Sequence, residues 1–169
     1  ILNNHKLNLN QFSDNYYLIA IHSDLKEFRL AFFLNQKLKI SLIRNRKDIS
    51  LIDSETCYSK FEFFDEAKYL KWTFFTNKGS FIKKNNSEQT TLFYNENSIS
   101  YEQSFISGLK TVDYFLIVEN VANKIYVEKT LKKILEIKGV IAAFISEKKL
   151  ENKENLIFSW QIQDLKKLK

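Results

Sequence analysis

The clearest pattern of apolar and polar positions lies in residues 112–146, where two short apolar runs flank a segment with helical periodicity. Residues 112–118 and 140–145 are rich in β-branched and aromatic side chains and have the length of strands. Charged side chains take one side of the intervening segment and apolar ones the other. The apolar positions are Val127, Leu131, Ile134 and Leu135. Gly139 follows, where a left-handed backbone commonly ends a helix. This pattern predicts a strand, a helix and a strand in succession.

A second unit of the same kind is predicted near the start of the chain. Residues 16–21 form an unbroken apolar run, which is typical of a strand buried on both faces. Asp24 and Glu27 have the spacing of a capping box, and the helix is expected to continue to about residue 34. Its buried stripe is predicted to be Leu25, Phe28, Ala31 and Phe32. Residues 38–43 are then expected to form the next strand.

Between these units the helical period gives way to short alternating runs, which predict an antiparallel meander. The predicted strands are residues 58–64, 69–76, 81–83 and 91–94, with turns such as residues 77–79. In residues 69–76, Leu70, Trp72 and Phe74 share one face and Lys71, Thr73 and Phe75 the other, which indicates a sheet with one side on the core. Residues 5–9 and 156–160 are further strand candidates.

Together these elements predict an α+β fold with a mostly antiparallel, twisted sheet. Two helices that are each apolar on one side are expected on the same face of that sheet. The β-α-β units are ferredoxin-like, and the middle of the chain enlarges the antiparallel part. No linker or repeat divides the chain, so residues 1–169 are expected to form a single domain.

The composition narrows the classes of protein that the chain can belong to. The chain has no run of about 18 apolar residues and no secretory signal pattern, so we expect a cytoplasmic protein that does not enter the membrane. Cys57 is the only cysteine, which excludes an internal disulfide and a thiolate metal cluster. The net charge of +6 comes almost entirely from lysines, which favours solvated faces. The candidate basic surface consists of Lys124, Lys129, Lys132, Lys133 and Lys138.

The sequence contains no pattern typical of a catalytic or cofactor site. Gly79, Gly108 and Gly139 are the only glycines and lie too far apart for a phosphate-binding loop. His22 and Asp24 flank the start of the first predicted helix. A helix cap and its neighbour are a simpler interpretation of this pair than a proton-transfer site. No ligand spacing supports a metal site. We therefore expect no enzyme activity, no catalytic residues, no metal and no cofactor.

Residues 106–114, with the sequence ISGLKTVDY, resemble the motif of the IPExxxVDY family, which are uncharacterised small bacterial proteins. Ser107 and Gly108 stand where the motif has Pro and Glu. The resemblance implies no activity, substrate or cofactor. From the residues themselves, Val112 and Tyr114 are expected on one strand face. Asp113 is expected to accept backbone N–H bonds from the preceding loop and fix the strand's register, with ligand contact as the alternative. The matching positions are Ile106, Val112, Asp113 and Tyr114.

The function that these features favour is non-enzymatic binding of a partner, either another protein or a second copy of the chain. One alternative is an RNA-binding module that uses the lysine-rich helix and exposed strand aromatics such as Phe61, Phe63 or Phe75. The chain lacks the sequence that would identify an RNA-recognition motif, so nucleic-acid binding is expected to be weak. Another alternative is a small-molecule regulatory domain of the ACT kind, which only the β-α-β layout suggests.

Overall fold

The computed structural model describes residues 16–46, 48–50, 56–82, 100–147 and 150. In chain order these residues form β1 (Tyr16–Ser23), α1 (Glu27–Leu38), β2 (Ile43–Arg44), β3 (Ile49–Ser50), β4 (Cys57–Tyr58), β5 (Lys60–Asp65), β6 (Leu70–Thr76), β7 (Lys78–Ile82), β8 (Ser100–Ser104), β9 (Tyr114–Glu119), α2 (Lys124–Leu135) and β10 (Val140–Ser146). The predicted strands at residues 5–9, 91–94 and 156–160 lie outside the described residues.

The strands form two antiparallel sheets. The larger sheet has six strands in the order β10-β1-β9-β6-β5-β2, and the smaller has four in the order β3-β4-β7-β8. Ile19 of β1 is paired with Leu116 of β9 on one side and with Ile145 of β10 on the other. The α+β class, the antiparallel large sheet and the two helices are therefore as predicted.

The large sheet is buried on both faces at its centre. On one face Ile19 of β1 and Leu116 of β9 belong to a core cluster in which both helices also bury side chains. On the other face Leu18 and Phe115 belong to a second cluster, which includes Tyr58 from the small sheet. The prediction that β6 faces the core on one side only was wrong. Phe75 is fully buried in the second cluster, because the small sheet covers the face that the alternation assigned to solvent.

Helix α1 differs from its prediction in its cap and in its buried stripe. Lys26 is at the N-cap position and makes no side-chain cap bond, so the predicted capping box of Asp24 and Glu27 is wrong. Instead the Ser23 hydroxyl accepts a bond from the Leu25 backbone N–H at 3.2 Å. The buried side chains are Leu30, Ala31 and Leu34, whereas Phe28 and Phe32 of the predicted stripe point outward.

The predicted strand at residues 38–43 is also wrong over most of its length. Helix α1 continues to Leu38, and Lys39 takes a left-handed conformation that ends it. The Asn35 side chain then accepts a bond from the Leu42 N–H at 2.7 Å and donates to the Leu42 carbonyl at 3.1 Å. These bonds satisfy the backbone of a loop, and only Ile43–Arg44 pairs with β5.

Helix α2 follows its prediction more closely. It begins after Asn123, whose side chain accepts a bond from the Tyr126 N–H at 3.0 Å. Val127 and Ile134 are buried as expected, but Leu135 is 47% exposed because helical spacing places it on the charged side, close to the direction of Lys124 and Glu128. In the turn to β10, Gly139 has a φ of 99°, and a Cβ there would lie 2.7 Å from Leu25 Cγ. Among the described residues, neither helix has the length and apolarity needed to span a membrane.

Candidate functional site

The motif-like segment lies where three strands meet, at the end of β1 and the starts of β7 and β9. Asp113 Oδ2 accepts a bond from the Ser23 backbone N–H at 3.1 Å and lies 3.8 Å from His22 Nδ1. Its Oδ1 accepts a bond from Lys78 Nζ at 2.8 Å. The Asp113 backbone N–H also donates to the Ile21 carbonyl at 3.2 Å. The backbone donor to the carboxylate is therefore the end of β1, and not the preceding loop as expected.

Val112 and Tyr114 do not share a strand face, which corrects a second expectation about this segment. Strand β9 begins only at Tyr114, and Val112 lies in the preceding turn, where its N–H donates to the Leu109 carbonyl. Val112 is buried in the second cluster, against which Ile106 also packs. Tyr114 lies in the first cluster, on the helix side. The motif positions thus connect the cores on both faces of the large sheet.

The Tyr114 side chain joins the sheet to the entry of α1. Its hydroxyl donates to the Leu25 carbonyl at 2.6 Å. Burial, together with the nearby carboxylates of Glu27 and Asp113, raises the pKa of Tyr114 to about 12. Because loss of its proton would place a charge in an apolar site beside two carboxylates, this phenol is held neutral.

Asn77 holds the loop before β9 and was not singled out from the sequence beyond its place in a turn. It is fully buried. Its amide nitrogen donates to the carbonyls of Leu109 and Val112, both at 2.8 Å, and its amide oxygen accepts from the Ile106 N–H at 3.0 Å. Its backbone N–H also donates to the Asp113 carbonyl at 2.8 Å. One side chain therefore fixes the loop that carries the motif-like residues.

An open cleft of about 420 Å³ lies beside Asp113, at the entry of α1. Its charged lining mixes the carboxylates of Asp24, Glu27 and Asp113 with Lys26 and Lys78. The hydroxyl of Ser23, which also lines the cleft, donates to the Gly139 carbonyl at 2.6 Å, so its proton is already committed to the backbone.

The structure brings together only some of the predicted lysines. Lys129, Lys132 and Lys133 border one cleft between the two helices. Lys124 is at the opposite end of α2, 3.9 Å from Glu128, and lines a different hollow next to β10. Lys138 is exposed in the turn that leads to Gly139.

The strand aromatics expected to support RNA binding are not exposed. Phe75 is fully buried and Phe61 is 6% exposed, because the large sheet is covered on both faces. Phe63 is only partly buried and packs against the first cluster. A nucleic-acid base would find no row of open aromatic rings on these strands.

Helix α1 exposes two phenylalanines on its outer side. Phe28 is 57% exposed and Phe32, one helical turn later, is 56% exposed. Arg29, the residue after Phe28, is exposed as well. The Phe32 ring meets the Phe33 ring edge to face, with centroids 5.5 Å apart. Phe28, Arg29 and Phe32 together are called the α1 outer face below.

Few other groups among the described residues could form a chemical site. No three of their His, Cys, Asp and Glu side chains lie together in a way that could hold a metal ion. Comparison of the chain with protein-family models, with curated proteins and with solved structures found no match. The function therefore has to be inferred from the exposed surfaces and clefts of the chain itself.

Proposed function

We propose that this chain is a non-enzymatic binding protein whose contact surface is the α1 outer face. The observation that carries the proposal is the pair of phenylalanines, Phe28 and Phe32, that are more than half exposed one turn apart. Each forgoes part of the roughly 1.5–3 kcal/mol that complete burial of such a side chain yields. Clustered exposed aromatics with an arginine are typical of the anchors of protein interfaces.

The chemistry of this face indicates the kind of partner. Aromatic anchors at positions i and i+4 of a helix fit an apolar groove on another protein. Arg29 in α1 and Lys26 just before the helix are exposed cations near these phenylalanines, whereas Lys37 near the helix end is paired with Glu136. Since two copies would bring these cations together, charge complementarity favours a different protein whose groove has an acidic rim.

We further infer a ferredoxin-like arrangement that has been enlarged. Helix α2 connects β9 to β10, and β1 lies between these two strands in the sheet. Helix α1 leads from β1 to β2 at the far edge of the sheet. The additional strands β5 and β6 lie between β9 and β2, so they separate the two strands of the first β-α-β unit further. The matching residues Ile106, Val112, Asp113 and Tyr114 support a distant relationship to the IPExxxVDY family. A single cysteine, Cys57, suits the cytoplasm, where structural disulfides are rare.

Photocrosslinking tests the proposed contact surface directly. p-Benzoylphenylalanine is placed at Phe32 in one variant and at Ile125 in another, and both are irradiated in a lysate of the source cells. Ile125 is a matched control because it is apolar and 60% exposed but lies on α2. We expect one discrete adduct from position 32 alone, with an acidic protein that rebinds when purified. The same adducts at both positions, or none at position 32, would reject the surface.

A further inference from the structure

A second cleft lies on the helix side of the large sheet, between the end of α1 and the side of α2. It encloses about 280 Å³. Trp72 of β6 and Tyr126 of α2 both line it, and their ring centroids are 6.3 Å apart. Leu38 and Thr130 complete the part of the lining that is not basic. The cleft thus combines aromatic and aliphatic walls, as small-molecule sites commonly do.

The Trp72 indole leaves a hydrogen-bond donor without a partner. Trp72 is 1% exposed, and its Nε1 has no acceptor within the described part of the chain. A buried donor left unpaired costs about 1–3 kcal/mol, so buried indoles usually have an acceptor. The nearby Thr130 hydroxyl donates to the Tyr126 carbonyl at 3.0 Å and is engaged with its own helix. An acceptor atom brought by a ligand would remove this cost.

The rim of the cleft is positively charged. Lys129, Lys132 and Lys133 are exposed along it, and none of the three has a carboxylate within ion-pair distance in the ranges that the structure describes. The two exposed carboxylates of this helix region face other cations. Glu128 is 3.9 Å from Lys124, and Glu136 is 3.2 Å from Lys37. These carboxylates reduce the positive field along the helix, but their ion pairs are with cations outside the cleft.

We infer that this cleft binds a small organic anion. The three lysines would hold its carboxylate or phosphate monoester group, and Trp72 and Tyr126 would contact a flat apolar body. An oxygen atom of the same ligand would accept the Trp72 Nε1–H bond. This site is separate from the α1 outer face, so either can fail without the other.

The indole N–H signals in NMR spectra report on this site. The chain has two tryptophans, Trp72 and Trp160, and a Trp160→Phe variant assigns the Trp72 signal. The probes are phenyl phosphate and phenylacetate, with neutral phenylacetamide as the matched control. We expect both anions to shift the Trp72 Nε1–H signal saturably. Affinity for phenylacetamide should be lower by about tenfold or more, which corresponds to about 1.4 kcal/mol.

Charge-removal variants distinguish the cleft from general attraction to a basic protein. The combined Lys129→Gln, Lys132→Gln and Lys133→Gln variant should weaken binding of phenyl phosphate by about tenfold or more at unchanged Tm. Lys124→Gln with Lys138→Gln should leave it within about twofold, because these lysines lie outside the cleft. The inference is overturned if neither anion shifts the signal at about 10 mM, if the amide binds equally well, or if both lysine variants behave alike. Tight binding of an oligoribonucleotide at these lysines, without binding of the small anions, would overturn it as well.

Discussion

Lys78 Nζ lies 2.8 Å from Asp113 Oδ1, which links the start of β7 in the small sheet to the start of β9 in the large one. The second oxygen of the same carboxylate accepts the Ser23 N–H at the end of β1. One acidic side chain therefore joins three strands from two sheets. The side chains of Lys78 and Asp113 are 40% and 25% exposed, so solvent weakens their ion pair more than it weakens the backbone contact.

Substitutions at Asp113 should separate these two contacts. Asp113→Asn keeps an oxygen for Ser23 and loses mainly the ion pair, so we expect a loss of about 1 kcal/mol or less. Asp113→Ala also removes the backbone acceptor and should cost about 2–3 kcal/mol. Urea denaturation measures both, with Asp24→Asn as an exposed control. Equal losses for the two Asp113 variants would show that the Ser23 bond contributes little.

Asn77→Ala should be among the most destabilising polar substitutions in the chain. It leaves the Val112 carbonyl and the Ile106 N–H without the partner that Asn77 supplies, and the Leu109 carbonyl keeps only its bond from the Val112 N–H. At about 1–3 kcal/mol for each unsatisfied group that stays dry, we expect a total loss of at least about 2 kcal/mol. The exposed Gln36→Ala variant serves as the control in the same denaturation experiment. A loss no larger than that of Gln36→Ala would contradict the role of Asn77 in the loop.

Tyr114 makes the stability of the fold depend on pH in the alkaline range. Its pKa rises from 10.0 to about 12 on folding, so the folded state holds the phenolic proton more tightly than the unfolded chain. The resulting stabilisation is complete below pH 10 and is lost as pH rises towards 12. Tyr114→Phe should flatten the fall in unfolding free energy over this interval. The difference between the two proteins is the relevant measurement, since lysines and other tyrosines titrate there too. Parallel curves would exclude the effect.

The two helices show how far amphipathic patterns predict burial. In α2 the charged positions are confined to one side, and Val127 and Ile134 are buried as the pattern predicts. In α1 apolar residues surround the helix, so no single stripe is defined by period alone. Helix geometry allows only one side to reach the sheet, and Leu30 and Leu34 occupy it instead of Phe28 and Phe32. Helix α1 has more apolar residues than one buried side can hold, so the sequence indicates that some of them are exposed. It does not indicate which residues form the exposed face.

Substitutions in α1 should therefore give opposite results on its two sides. Leu34→Ala removes a fully buried side chain and should cost about 2–5 kcal/mol. Phe28→Ala removes a side chain that is 57% exposed and should change the unfolding free energy by about 0.5 kcal/mol or less. Thermal or urea unfolding of the two variants gives the comparison. Similar losses would mean that Phe28 packs against the fold.

The candidate site was predictable only in part. Alternating and continuous apolar runs predicted the positions of β1, β6 and β9, because the periodicity of apolar residues along a short segment indicates a strand. The covering of the large sheet by the small one depends on contacts between distant segments, so the burial of Phe75 had no local signal. Asn77 and Trp72 are similar cases. The hydrogen bonds of Asn77 and the unpaired indole of Trp72 both depend on residues that are distant in sequence and meet only in the folded sheet.

The partner protein identified by photocrosslinking is purified without the crosslink, and its binding to the chain is measured by calorimetric titration. This measurement tests the central proposal, that the α1 outer face is a binding surface. The wild-type chain is compared with a Phe28→Ala, Phe32→Ala variant and with an Ile125→Ala control. We predict that the double variant keeps its Tm and binds at least about thirtyfold more weakly, since two aromatic anchors that each contribute about 1 kcal/mol or more together contribute at least about 2 kcal/mol. The control should bind like the wild type. An unchanged Kd for the double variant, with its fold intact, would contradict the proposal.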